Sequence, residues 1–153
     1  MDTLENFKRL YLFNDWANRI LVRSIRDAES VKATEYLAHV LITEREYHER
    51  LFGKDSTGFD FWPKLSIDEC AILARENADK YERLLDGFDD EGLGQVIRYK
   101  TSEGTPFENS YREILKHVLL HSMTHRGQIL TLLRLAGHTP PAIDYIVYER
   151  TRS

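Results

Sequence analysis

The chain of 153 residues predicts an all-α domain, a four-helix bundle with long connections and a small β-hairpin before its last long helix. Two observations carry this. Four long stretches place apolar residues at steps of three and four, the period of a helix with one face in a core. Two of them open on a capping box of the form S-x-x-E, Ser66 to Glu69 and Ser110 to Glu113, and the stretches end near glycines. One domain spanning residues 1–153 is expected, long enough to bury a substantial core.

The first helix is predicted from Thr3 to about Ala28, with Leu4, Phe7, Tyr11, Asn14, Asn18, Leu21 and Ile25 on one stripe. That stripe is apolar at both ends and carries amides in its middle. Asn14 and Asn18 are therefore either satisfied core amides or groups standing behind a polar site. Trp16 reads as packing or interface. A second helix starts near Ser30 or Thr34 and stops at Gly53, with Leu37, Val40, Leu41, Glu44, Tyr47, His48 and Leu51 available for burial.

Between Lys54 and Leu65 no regular element is expected, because the segment is rich in Gly, Asp, Ser and Thr. It also carries Phe59, Phe61 and Trp62, which either cap the core or form a wall over a site. The third helix follows from Ser66 to Gly87, with Cys70 read as a small core residue rather than a nucleophile. Gln95 to Lys100 and Pro106 to Glu108 read as two short strands about a turn containing Gly104. The last long helix runs from Ser110 to Gly137, and the tail from Ala142 to Arg150 is a short helix or an extended segment.

This last helix carries the chemistry. His117, His121 and His125 recur at i, i+4 and i+8, which stacks three imidazoles one turn apart with a drift of roughly 40° per step. His121 and His125 fall in a stripe with Ile114, Val118, Ile129 and Leu132, where apolar residues belong. Two unpaired imidazoles facing a core cost on the order of 2 kcal/mol or more per polar group. Each is either a core histidine donating to a carbonyl or half of a helical metal site. Ser122, Met123 and Thr124 lie between them, so the H-E-x-x-H arrangement of a metalloprotease is absent. A third ligand must come from elsewhere, and His39 is the natural candidate. His48, nine residues on, points about 180° away and is assigned to surface or interface.

Composition narrows the class further. With 21 basic and 25 acidic side chains the net charge is −4, which argues against a nucleic-acid backbone as the main partner. Cys70 is the single cysteine, so no internal disulfide forms and a reducing cytoplasm is the expected location. Neither a signal peptide nor an apolar run of the roughly 20 residues that a membrane span needs is seen. Apolar residues on more than one side of the first helix predict a homodimer.

Three motifs, in order, resemble one family. Phe13 to Asn18 (F-N-D-W-A-N) is similar to Y-N-x-W-A-N; Leu37 to Val40 followed by Glu44 resembles L-x-H-I…E; His121 to Ile129 (H-S-M-T-H-R-G-Q-I) is similar to H-x-x-x-H-R-G-Q. Leu133-Arg134, Pro140-Pro141 and Asp144-Tyr145 continue the likeness, which runs over nearly the whole chain. The family is the DinB/YfiT-like metal-binding four-helix bundles; Tyr47 departs from it by standing where a tryptophan is common.

The resemblance implies that His39, His121 and His125 hold one divalent metal ion, zinc or nickel first and manganese or iron as alternatives, with water in the remaining positions. His117 is not a ligand in that pattern. Relatives of this fold include thiol S-transferases and a thiol-dependent isomerase. A metal-dependent thiol transferase using a low-molecular-weight thiol is therefore the expected function. A non-catalytic, stress-related metal-binding homodimer and a metal-dependent hydrolase are the rivals. Arg126 is a candidate to hold an anionic thiol, or else forms a structural ion pair; Glu44 is either a proton acceptor or the partner of Arg126.

Overall fold

The computed structural model describes residues 2–152. Four long helices form the bundle: α1 (Leu4–Ala28), α2 (Val31–Arg50), α3 (Ile67–Asp86) and α4 (Tyr111–Leu135). Strands β1 (Val96–Lys100) and β2 (Pro106–Ser110) make an antiparallel hairpin, and α5 (Tyr145–Thr151) closes the chain. Around the bundle the order is α1, α3, α2, α4, so helices adjacent in sequence are not the principal packing partners. The long links on either side of α3 make that order accessible.

Each of the four long helices begins where a side chain satisfies one of its free N–H groups. Thr3 Oγ1 accepts from Asn6 N, and Ser30 Oγ accepts from Ala33 N. Ser66 and Ser110 form complete capping boxes with Glu69 and Glu113. The second helix therefore starts after Ser30, and it ends at Arg50, short of Gly53. In the hairpin Val96 faces Ser110 and Lys100 faces Pro106, and Gly104 turns the chain at φ 79°.

Only Glu29 and Ser30 separate α1 from α2, and the reversal puts Glu29 in the left-handed region at φ 52°. A residue with a Cβ is held there at a cost of about 1 kcal/mol. Glu29→Gly is expected to raise unfolding free energy by up to about 1 kcal/mol, read by urea denaturation; a loss would show that the Glu29 side chain makes a compensating contact.

The core is divided. One apolar cluster gathers Phe13, Leu21, Ile25, Leu37, Leu41, Ile129 and Leu133, and a second gathers Phe7, Tyr11, Leu51, Tyr81, Leu85, Leu115 and Val118. Between them lies a polar layer of Asn14, Asn18, Glu44, Asn77, Ser122 and Arg126, each at most 4% exposed. Glu44 Oε2 accepts from Asn14 Nδ2 at 2.7 Å and Ser122 Oγ at 2.8 Å; Asn18 Nδ2 donates to both carboxylate oxygens, and Asn77 Nδ2 reaches Oε1 at 3.2 Å. Arg126 Nη1 donates to the Oδ1 atoms of Asn14 and Asn18, so the two amides link the buried cation to the buried anion.

This layer corrects the predicted stripe on α4. Ile114, Val118 and Ile129 are buried as expected, but Ser122, Arg126 and Leu133 are buried in place of His121, His125 and Leu132, the last only half-buried. His121 and His125 sit one residue to the side, at the edge of the core. Cys70 is fully buried and its thiol is pushed up to about 12 by burial, as suits a core residue. Trp16 packs on Phe13 and Tyr148.

Candidate metal centre

Helices α2 and α4 run antiparallel along their shared seam. Tyr111 Oη donates to Leu51 O, the Tyr47 ring lies 5.0 Å from His117, and His39 meets His121 and His125. The ring centroids of these last three are 4.9 Å (39 to 121), 4.6 Å (39 to 125) and 4.5 Å (121 to 125) apart. One nitrogen from each ring lies within 4.8 Å of the other two, a group that could hold a metal ion.

Hydrogen bonds set which nitrogen faces inward. His39 Nδ1 sits 2.6 Å from the Phe61 carbonyl, so it carries the proton and leaves Nε2 as a lone pair. His125 Nδ1 lies 2.7 Å from Gln128 Oε1 and is fixed in the same sense. The Nε2 atoms of His39 and His121 approach to 3.1 Å. Two nitrogens each about 2.0–2.1 Å from one zinc-like ion stand roughly 3.3 Å apart, so the separation fits shared coordination. His121 Nδ1 is buried without a partner.

Among the described residues, the group around the cluster contains no carboxylate. Burial, and after it the neighbouring imidazoles, push His121 down to about 3. Burial lowers His39 as well, opposed by the Phe61 carbonyl. Neutral imidazole is the form that binds a metal. His48 and His117 are also lowered by burial. The unfolded chain therefore takes up protons near the ordinary value of 6.5, where the folded chain does not. Between that value and the folded ones the unfolded state holds more protons, so acid favours unfolding. The ion-free protein is expected to unfold at a lower temperature at about pH 5.5 than at about pH 7.5; a flat profile over that range would contradict the buried, neutral state of these rings.

Trp62 supplies a wall that sequence reasoning left as one of two alternatives. Its indole stacks on His39 with centroids 3.8 Å apart and planes 1° from parallel, while Phe61 provides the carbonyl that orients the same ring. The aromatic content of the irregular segment was the only signal for this, since no periodicity places its side chains. His117 lies 5.8 Å from His121, outside the group of three. His48 packs on Tyr81 and Phe52 instead.

Of the two readings of Arg126, the surroundings match the structural one: it is 3% exposed, its Nη1 donates to Asn14 and Asn18 while Nη2 is buried without a partner, and its guanidinium lies 5.6 Å from the Phe13 ring. Burial lowers it to about 10, and the Glu44 charge opposes the shift. The expected Glu44–Arg126 pairing occurs through the two asparagines rather than directly. With four side chains donating to its carboxylate, Glu44 is closed off as a proton acceptor for a reaction.

Comparison with known proteins agrees with this architecture. The chain is 25% identical over 157 residues to Protein DinB of Bacillus subtilis (strain 168), covering 92% of this chain and 91% of that protein. No solved structure gives a significant match. No helix among the described residues is long and apolar enough to cross a membrane. A profile of the DinB family matches residues 8–152, nearly the whole length, and the chain with its three gathered histidines belongs to that family.

Proposed function

We propose that the protein binds one divalent cation through His39, His121 and His125 and acts as a metal-dependent S-transferase for a low-molecular-weight thiol. The observation that carries this reading is the convergence of three imidazoles, with no fourth protein ligand in the group among the described residues. Three protein ligands characterise catalytic rather than structural zinc sites. A bound ion supplies one thing there, a lowered pKa for a thiol or a water. Zinc and nickel suit the imidazole set best, with manganese and iron as alternatives.

The residues of the chain do the rest. Phe61 O and Gln128 hold the rings of His39 and His125 by their Nδ1 protons, and Trp62 excludes water from one face of His39. His121 and His125 remain partly exposed, which leaves an approach for a small molecule. In the transfer itself the thiol sulfur bonds to an electrophilic carbon, the leaving group departs with its bonding pair, and the thiol proton passes to solvent. Metal-loaded protein assayed with cellular thiols and a chlorinated aromatic tests the reading. Saturable conjugation lost in His121→Ala supports it, and metal uptake with no turnover for any thiol overturns it.

A second reading, a metal-binding homodimer without turnover, draws on the closure of Glu44 and on the exposed apolar side chains Leu12, Leu120 and Met123. Light scattering decides the dimer, since the chain alone has a mass of 18.0 kDa. A hydrolase is the weakest of the three, because the group of potential ligands among the described residues includes no carboxylate to activate water.

A further inference from the structure

Three threonines in the long helices turn their hydroxyls back onto the preceding turn: Thr34, Thr124 and Thr131 donate to the carbonyls of Ser30, Leu120 and Gly127 at 2.7, 2.9 and 3.3 Å. Thr43 on α2 does not. It is 2% exposed, and its Oγ1 is buried without a partner. A buried hydroxyl in that state calls for a partner on the facing element.

The facing element is α4, and the register of the seam names the residue. The His39 ring lies 4.6 Å from that of His125, and the Tyr47 ring lies 5.0 Å from that of His117. Along antiparallel helices Thr43, midway between His39 and Tyr47, therefore falls opposite His121, midway between His125 and His117. His121 Nδ1 is likewise buried without a partner. The other unpartnered acceptors among the described residues stand elsewhere: Glu46 holds Lys54 through Oε1, and Asn77 is on α3.

Proton placement says when the two atoms need each other. His39 keeps its proton on Nδ1 against Phe61 O, so its Nε2 is a lone pair. His121 Nε2 stands 3.1 Å away and carries the proton of that contact, since two lone pairs would repel. Its Nδ1 is then a lone pair. When the two rings share a divalent ion through Nε2, the arrangement on His121 reverses: Nε2 gives its proton to solvent, Nδ1 takes one up, and the ring, still neutral, needs an acceptor. We propose that Thr43 is the positioning residue for His121, its Oγ1 accepting the Nδ1–H in the ion-loaded protein as Phe61 O and Gln128 Oε1 do for His39 and His125. The proposal rests on the metal-binding reading above and adds to it the residue that fixes the third ring.

Thr43→Val removes the hydroxyl and keeps the shape, whereas Thr43→Ser keeps the hydroxyl. Zinc affinity, read by competition against a chromophoric chelator, is expected to fall about 10–100-fold in Thr43→Val and to stay within a few-fold of wild type in Thr43→Ser. The ion-free valine variant should unfold at no lower temperature than wild type, because it loses only an unpaired buried hydroxyl. Long-range proton–nitrogen NMR of the imidazoles supplies a readout that packing does not move. His121 should carry its proton on Nε2 without zinc and on Nδ1 with it, and the Nδ1 proton should exchange with water faster in Thr43→Val than in wild type. Equal affinity in wild type and the valine variant, an equal loss in both variants, or unchanged proton exchange would overturn the proposal and leave the metal reading standing. Failure of wild type to take up zinc would overturn both. Should the valine variant not fold, the wild-type spectra decide: a slowly exchanging Nδ1 proton in the zinc-loaded protein supports the proposal, and zinc bound to His121 through Nδ1 contradicts it.

Discussion

Replacing His121 with alanine is expected to weaken divalent-metal binding by about 100-fold or more while leaving the helical content unchanged. Its ring is one corner of a nearly equilateral group, 4.9 Å from His39 and 4.5 Å from His125, so its loss breaks both contacts at once. Removing groups that merely orient a ligand typically costs about 10–100-fold in affinity, and loss of a ligand itself costs at least as much. The ion-free fold should lose no more than about 1 kcal/mol, because the ring lies at the edge of the core and its buried Nδ1 has no partner to forfeit. Competition against a chromophoric chelator reads the affinity and circular dichroism the fold. Unchanged affinity would remove His121 from the site.

The largest effect on stability is expected at Glu44. Its carboxylate, 2% exposed, is the anion toward which Asn14, Asn18, Asn77 and Ser122 all donate, and it offsets Arg126 across the two α1 amides. Glu44→Ala strands a buried guanidinium and at least three amide donors, which predicts a loss of about 3–5 kcal/mol. A pair of apolar residues at both ends should behave differently. Glu44→Leu combined with Arg126→Met removes both charges together, and a double-mutant cycle in urea should recover a large part of the loss. Simple additivity of the two single losses would mean that the asparagines do not couple the charges.

Much of this bundle was legible from short-range chemistry. The capping boxes at Ser66 and Ser110 locate two helix starts because the signal lies within four residues, and the hairpin strands follow from the turn at Gly104. Angular position alone separates His39 from His48 on α2, and the fold gathers His39, not His48, beside His121 and His125. The polar layer was legible only in pieces, Asn14 and Asn18 as amides on an apolar stripe and Glu44 as a possible partner of Arg126, because what joins them lies far apart in the chain. Arg126 reads in the sequence either as a site for an anionic thiol or as half of an ion pair, and amides 112 and 108 residues away are what allow it to be buried. Hence the α4 stripe was expected to continue through Leu132, when the centre of the face runs through Ser122, Arg126 and Leu133. Trp62 was legible only as one of two alternatives, because an irregular segment imposes no period on the direction of its side chains.

X-ray absorption of the zinc-loaded protein tests the central claim most directly. Three imidazole nitrogens at about 2.0–2.1 Å, completed by oxygen from water, and a stoichiometry of one ion per chain are predicted. A spectrum dominated by oxygen ligands alone, or one unchanged in His39→Ala, would contradict the convergence of α2 and α4 on a single ion.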